Sequence, residues 1–142
     1  KEQNFNFDLD TEYNYTNIIS NSRTFGFKDE VELLKERGLI AGGSLENAIV
    51  LDNDGIMNQS VLRHDDEFVR HKVLDFIGDI YLLGYRVRGS FEIFKGGHRL
   101  THELAKSIMS DKSNWKLVNE NVDVENLSFS TLNQKKELSA SL

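Results

Sequence analysis

The distribution of apolar and polar residues predicts two long helices in the second half of the chain. Between residues 65 and 83 apolar side chains recur at helical spacing, with Asp65 or Asp66 available as the N-cap and Gly84 at the end. In residues 98–109, leucine and isoleucine recur at i, i+4 and i+8. Because apolar residues surround most of the first helix, we expect it to be buried nearly all round.

Alternation of apolar and polar residues predicts strands elsewhere. The pattern is clearest in residues 5–9 and 86–95, where apolar residues or glycine occupy every second position. Shorter extended segments are predicted at residues 23–27, 48–51 and 115–118. These segments are expected to supply the strands of one sheet.

A small βαβ insertion is predicted at residues 28–57. Its helix, at residues 29–37, has acidic residues in the first turn and ends before Gly38. The turn sequence DNDG at residues 52–55 favours a hairpin after the buried strand. Residues 11–21 also show helical spacing.

These elements predict an α+β fold: a two-layer α/β sandwich, in which helices pack on one face of a sheet, plus the βαβ insertion. We expect residues 1–118 to form one domain. Residues 119–142 are polar and weakly periodic, and are expected to form a loose tail.

The amino-acid composition argues against several functional classes. The formal net charge is -6, with 23 acidic against 17 basic residues, which argues against nucleic acid as a partner. The chain has no cysteine, so a metal ion would have to bind through histidine, aspartate or glutamate. No apolar run reaches the roughly 20 residues of a transmembrane helix, and we expect a cytoplasmic location. Since the chain opens on Lys1 directly before a strand-like segment, we also expect it to be part of a longer protein.

Three polar residues of the longest helix share one face, because His71, Asp75 and Asp79 lie at i, i+4 and i+8. A histidine and an aspartate one turn apart can bind the same zinc ion, or can form an ordinary i,i+4 ion pair. His98 begins the next helix after two glycines, and it either pairs with Asp79 or simply caps its helix.

Other polar motifs are weaker candidates for a functional site. His102 and Glu103 begin a zincin-like pattern that lacks its second histidine, so we predict a solvated helix face. The sequence DNDG at residues 52–55 has too few ligands for a calcium loop. His64 is predicted to lie at the surface.

Residues 66–75, with the sequence DEFVRHKVLD, continue into Ile77-Gly78-Asp79 and resemble the signature helix of the UDP-3-O-acyl-N-acetylglucosamine deacetylase family (LpxC). Three further blocks resemble the same family in order and approximate spacing: RTFGF at residues 23–27, GGSLENAIV at residues 42–50 and KGGH at residues 95–98. Together the resemblance covers residues 22–111.

The resemblance implies that His71 and Asp75 are ligands of a zinc ion, Zn2+. The third ligand, a histidine, and the general-base glutamate would come from an N-terminal domain, so this chain would be the C-terminal catalytic half. The implied reaction is hydrolysis of the N-acetyl group of UDP-3-O-acyl-N-acetylglucosamine in lipid A biosynthesis.

By the same resemblance, His98 would stabilise the oxyanion and protonate the leaving amine, with Asp79 holding its charge. Thr24 would hydrogen-bond the oxyanion, Lys72 would contact the substrate and Phe25 would stack on the sugar. Small and aliphatic residues of the insertion would line an acyl-chain passage, or would simply form its core: Val31, Ile40, Gly43, Ser44, Ala48 and Val50.

The sequence departs from the family pattern in two places. The block around the histidine usually resembles Ser-Gly-His-x-Leu-Asn and here is GGHRLT, at residues 96–101. The family also has a His-Pro element before the strand that matches residues 5–9, and this chain contains no proline. An alternative function is therefore a noncatalytic acyl- or nucleotide-sugar-binding module that lacks a complete metal site.

Overall fold

The computed structural model describes residues 2–118, which form a three-stranded sheet and four α-helices. The elements in chain order are α1 (Glu12–Asn14, continuing as a π-helical turn, Tyr15–Ile19), β1 (Thr24–Phe27), α2 (Lys28–Glu36), β2 (Ala48–Asp52), β3 (Gly55–Ile56), α3 (Glu67–Tyr81), α4 (His98–Ser110) and a 3-10 turn (Lys112–Asn114). The predicted α+β class is confirmed. The predicted tail lies outside the described residues. None of the helices in residues 2–118 is both long enough and apolar enough to cross a membrane.

The sheet combines a βαβ unit with a hairpin. Strands β1 and β2 are parallel, with Thr24 opposite Ala48, and α2 connects them. Strand β3 then pairs antiparallel to β2. The side chain of Asp52 explains the hairpin, because its Oδ1 accepts the backbone N–H groups of Asp54 (2.9 Å) and Gly55 (3.0 Å). The turn predicted from the sequence DNDG is therefore confirmed.

The predicted strands at residues 5–9, 86–95 and 115–118 are wrong, since none of these segments pairs as a strand within the described part of the chain. In each of the first two segments, one aromatic side chain contacts α3. The Arg70 guanidinium of α3 lies 4.6 Å from the centre of the Phe5 ring, and the Phe91 ring lies 5.0 Å from that of Phe76. Other alternate apolar residues stay largely exposed, with Leu9 51%, Val87 40% and Ile93 48% exposed.

The buried core of the described residues is small. Its apolar members are Ile19, Ile49, Val50 and Ile80. The prediction that α3 is buried nearly all round is wrong, because Ile80 is its one buried apolar residue and Tyr81 is 62% exposed. Extended segments cover parts of α3, and the larger sheet expected beside it does not form among residues 2–118.

The start of α3 differs in detail from the expected capping. Asp66 occupies the N-cap position, but its side chain makes no capping hydrogen bond. The carboxylate instead accepts hydrogen bonds from Arg70 Nε (2.6 Å) and Nη2 (3.3 Å). This pairing with the guanidinium lowers the pKa of Asp66. At the other end, Gly84 adopts a φ of 75°, as expected for a residue that terminates a helix.

Candidate functional site

The polar strip of α3 consists of His71, Asp75 and Asp79, and its first two side chains contact each other. His71 Nε2 lies 3.2 Å from Asp75 Oδ1, and the two side chains are only 12% and 15% exposed. The second carboxylate oxygen, Asp75 Oδ2, accepts a hydrogen bond from Lys72 Nζ at 2.8 Å. One oxygen of Asp75 therefore faces a cation, and the other faces the histidine.

The far side of the His71 ring contacts the backbone. Its Nδ1 lies 3.2 Å from the carbonyl oxygen of Ser22, the buried residue that precedes Arg23 and β1. A carbonyl oxygen can only accept, so Nδ1 carries the hydrogen in this bond. With Nδ1 held by the backbone, Nε2 is the ring nitrogen that faces Asp75 and that a metal ion would bind.

Helix α4 places two histidines beside the last carboxylate of the strip. His98 Nδ1 lies 2.9 Å from Asp79 Oδ2, and its Nε2 lies 4.0 Å from Asp75 Oδ1. His102 Nε2 lies 3.3 Å from Asp79 Oδ1. The prediction that His102 and Glu103 lie on a solvated helix face is confirmed, since they are 48% and 57% exposed, but His102 also contacts Asp79. Its spacing of four residues from His98 is the sequence signal that could have identified the contact.

An aromatic side chain of β1 borders this cluster. The Phe25 ring lies 6.0 Å from the His71 ring and 4.9 Å, edge to face, from Phe68. Lys72 Nζ lies 5.2 Å from the centre of the Phe25 ring. Thr24 is exposed at the start of the same strand. Strand β1 therefore brings Phe25 beside the strip, with Thr24 next to it in the chain.

A cavity of about 20 Å³ lies beside Asp75, between α3 and the loop that precedes α4. Its volume is sufficient for about one water molecule. Ile93 and Gly96 line it, and a Cβ atom built on Gly96 would lie 2.5 Å from Ile93 Cγ2. A side chain at position 96 would therefore require Ile93, which is 48% exposed, to move.

The six residues predicted to line an acyl passage lie in two places: Val31, Ala48 and Val50 in the helix and strand of the βαβ unit, and Ile40, Gly43 and Ser44 in the exposed loop after α2. Val50 is only 9% exposed and belongs to the core. In the loop, the Gly43 N–H donates to the Ile40 carbonyl at 2.9 Å. None of the six lines the cavity beside Asp75, and the acyl passage stays a prediction.

The sequence did not predict the buried ion pair between Arg23 and Glu67, which lies next to the strip. Glu67, the first residue of α3, is 0% exposed, and its carboxylate accepts Arg23 Nε (2.9 Å) and Nη2 (3.0 Å). It also accepts the backbone N–H groups of Arg23 (2.9 Å) and Arg63 (2.7 Å). Glu67 lies one turn before His71, and that spacing is the signal that could have placed it on the strip.

The charge state of Glu67 follows from these contacts. Burial raises the pKa of Glu67, but the hydrogen bonds from Arg23 and Arg63 outweigh burial and lower this pKa to about 2. The ionised carboxylate therefore stabilises the fold above the ordinary glutamate pKa. That contribution is lost as the pH falls towards 2.

The donor atoms of His71 and Asp75 fit a zinc ion. Two ligand atoms of a tetrahedral zinc site lie roughly 3.3 to 3.6 Å apart, since each is about 2.0 to 2.2 Å from the metal. The observed separation of 3.2 Å is close to this range. Among residues 2–118, no group of three potential ligands converges on one point. This chain therefore presents two donor atoms at a separation close to that in a zinc site, which is also the separation of an ordinary i,i+4 ion pair.

Comparison with known proteins identifies the chain's relatives. The family model of UDP-3-O-acyl N-acetylglycosamine deacetylase (LpxC) matches residues 1–110. A UDP-3-O-acyl-N-acetylglucosamine deacetylase from Psychrobacter sp. is 48% identical over 114 residues, which are 80% of this chain and 37% of the relative. The enzyme of that name from Stenotrophomonas maltophilia is 51% identical over 104 residues, 73% of this chain and 34% of the relative. The one from Campylobacter jejuni subsp. doylei is 48% identical over 117 residues, 82% of this chain and 40% of the relative.

The matches cover most of this chain but less than half of each relative. The chain spans 34% to 40% of the length of these three relatives. The family model covers more than three quarters of the chain, including the whole of α3 and α4. The resemblance predicted from the signature helix is confirmed, and the chain belongs to the UDP-3-O-acyl N-acetylglycosamine deacetylase family.

Proposed function

We propose that this chain supplies one half of the active site of a zinc-dependent deacetylase, which removes the N-acetyl group of UDP-3-O-acyl-N-acetylglucosamine in lipid A biosynthesis. The observation that carries the proposal is the 3.2 Å contact between His71 Nε2 and Asp75 Oδ1, in a chain of the deacetylase family. The substrate is inferred from the names of the relatives.

His71 Nε2 and Asp75 Oδ1 would hold the zinc ion. The proposal includes a third ligand, a histidine, and a general-base glutamate from an N-terminal domain, as the family resemblance implies. A bound zinc ion would supply Lewis acidity, which polarises the amide carbonyl and makes water at the site a better nucleophile. Lys72 partly neutralises Asp75 through Oδ2, and this contact also fixes the orientation of the carboxylate.

His98 would control the proton at the leaving group. Its Nδ1–H donates to the Asp79 carboxylate at 2.9 Å, and this contact orients the ring. Its Nε2 faces the strip, 4.0 Å from Asp75 Oδ1. When water adds to the carbonyl carbon and the C–N bond breaks, a proton held on Nε2 can pass to the amine nitrogen. The amine then departs with that proton, and acetate is the other product.

Three residues around the His71 ring would orient the substrate. Lys72 is 41% exposed, so its ammonium group can contact polar groups of the substrate as well as Asp75. The Phe25 ring borders the cluster and offers a face on which a sugar ring can stack. The exposed hydroxyl of Thr24 would donate to the developing oxyanion.

Removing the metal from the full-length protein tests the proposed function. We expect a chelator to abolish release of acetate from UDP-3-O-acyl-N-acetylglucosamine, because the Lewis acid is lost, and stoichiometric zinc to restore it. Magnesium should fail to restore activity, since it prefers six oxygen ligands and the proposed site offers imidazole. Acetate release is measured in each sample, and the zinc content is measured in parallel.

The opposite outcomes would contradict the proposal. Full turnover by protein shown to be free of metal would exclude zinc-dependent hydrolysis. Tight binding of the nucleotide sugar without any acetate release, in zinc-loaded protein, would instead support the noncatalytic binding module.

A further inference from the structure

One peptide group, between Ser22 and Arg23, contacts two successive turns of α3. Its N–H donates to Glu67 Oε1 at 2.9 Å, and its carbonyl oxygen accepts from His71 Nδ1 at 3.2 Å. The N–H and C=O of a trans peptide point in opposite directions, and residues four apart on a helix share a face. The peptide group therefore bridges Glu67 and His71 along the same strip of α3.

The Glu67 end of this bridge is held rigidly. Glu67 is 0% exposed, and the side chain of its partner Arg23 is 4% exposed. The same guanidinium donates from Nη1 to Ser60 Oγ (3.0 Å) and from Nη2 to the Val61 carbonyl (3.2 Å). Arg63 contributes its backbone N–H to Glu67 Oε2. The Glu67 carboxylate accepts hydrogen bonds from Arg23 and from Arg63, which lie in two separate segments. Its position is therefore set independently of His71.

We propose that Glu67 is a positioning residue for the metal ligand His71, acting through the Ser22–Arg23 peptide group. Glu67 fixes the plane of this peptide by accepting its N–H, and the fixed plane aims the Ser22 carbonyl at His71 Nδ1. That hydrogen bond sets the orientation of the imidazole ring, so that Nε2 faces Asp75 Oδ1 at 3.2 Å. The inference rests on the proposed function, in which His71 binds zinc.

The substitution Glu67→Gln tests this role in the full-length protein. Glutamine keeps the shape of the side chain but replaces one acceptor oxygen with an NH₂ donor, which would face the N–H groups of Arg23 and Arg63. We expect the affinity for zinc, measured by competition with a chromogenic chelator, to fall by about tenfold, the effect typical of groups that orient a metal ligand. In a crystal structure of the Glu67→Gln protein, the Ser22–Arg23 peptide group should be rotated, so that the Ser22 carbonyl oxygen no longer accepts a hydrogen bond from His71 Nδ1.

Matched variants separate positioning from general destabilisation. Asp66→Asn removes the neighbouring ion pair with Arg70, which does not touch Ser22 or His71, and should leave the zinc affinity unchanged. Ile49→Ala opens a cavity in the core and should lower the melting temperature while keeping the hydrogen bond between His71 Nδ1 and the Ser22 carbonyl oxygen. Arg23→Lys keeps the charge but loses the two-pronged contact, and should give an intermediate loss of affinity.

Each outcome decides one question. A folded Glu67→Gln protein with wild-type zinc affinity, or with the Ser22 carbonyl oxygen still hydrogen-bonded to His71 Nδ1, would overturn the positioning role. If Glu67→Gln does not fold, unchanged affinity in folded Arg23→Lys overturns it instead. An equal loss of affinity in Ile49→Ala would also overturn it, because stability alone would then explain the effect. Equal zinc binding by the wild type and His71→Ala would reject the proposed function itself.

Discussion

Replacing His71 by alanine in the full-length protein should abolish stoichiometric zinc binding and lower kcat by more than about a thousandfold. The imidazole supplies one of the two donor atoms that this chain places 3.2 Å apart, and alanine offers no substitute. A Lewis acid contributes several kcal/mol to stabilisation of the transition state, which corresponds to a factor of this size. Metal content and acetate release, measured on the same sample, test both halves of the prediction.

A second histidine provides the control for that experiment. The partly exposed His64 contacts Asn21, with Nε2 3.1 Å from Oδ1, and takes no part in the polar strip. His64→Ala should therefore retain full zinc content and turnover. If His71→Ala kept one zinc ion per protein and wild-type turnover, the assignment of His71 as a ligand would be wrong.

Replacing His98 by alanine should lower kcat by roughly 10²- to 10⁴-fold, the usual contribution of a general acid. Zinc content should stay at the wild-type level, because His98 is proposed to act on the leaving amine and to leave the metal to His71 and Asp75. The 63% exposure of the His98 side chain gives a substrate access to Nε2. Steady-state kinetics of acetate release, together with metal analysis, measure this separation of chemistry from metal binding.

Arg99 serves as the matched control on the same turn of α4. Its guanidinium is 72% exposed and pairs with Glu103 at 2.9 Å on the surface. Arg99→Ala should leave kcat within about twofold of the wild type, since exposed ion pairs of this type contribute little. A His98→Ala protein that behaves like Arg99→Ala would remove His98 from the proposed chemistry.

Local signals predicted most of the helices and the βαβ unit. The helix α4 was predicted within one residue of its observed end, because apolar residues repeat every four positions along it. The hairpin after β2 was predicted because Asp52 can accept backbone N–H groups from its own turn. Signals of this kind involve neighbours in sequence, so they can be read without knowing the rest of the fold.

The wrong strand predictions have a common physical origin. A period of two leads to a half-buried strand only where a neighbouring strand pairs with the segment, and none pairs with these segments among residues 2–118. Phe5 and Phe91 both contact residues of α3. The burial of α3 was overestimated for a related reason, because the sheet expected to cover it forms only a small unit with β1, β2 and β3.

The candidate site was predictable where its residues lie on one helix. The spacing of His71, Asp75 and Asp79 placed them on one face of α3, and pairing with Asp79 was one of two alternatives for His98. The Arg23–Glu67 ion pair joins residues 44 positions apart, and local spacing alone could not have revealed it. The zinc ion, the N-terminal domain and the cytoplasmic location stay predictions.

The most direct measurement of the central claim is anomalous X-ray scattering at the zinc edge from crystals of the full-length protein. We predict one strong anomalous peak within about 2.0 to 2.2 Å of both His71 Nε2 and a carboxylate oxygen of Asp75. A zinc ion bound elsewhere, or one that contacts only one of these two side chains, would contradict the account.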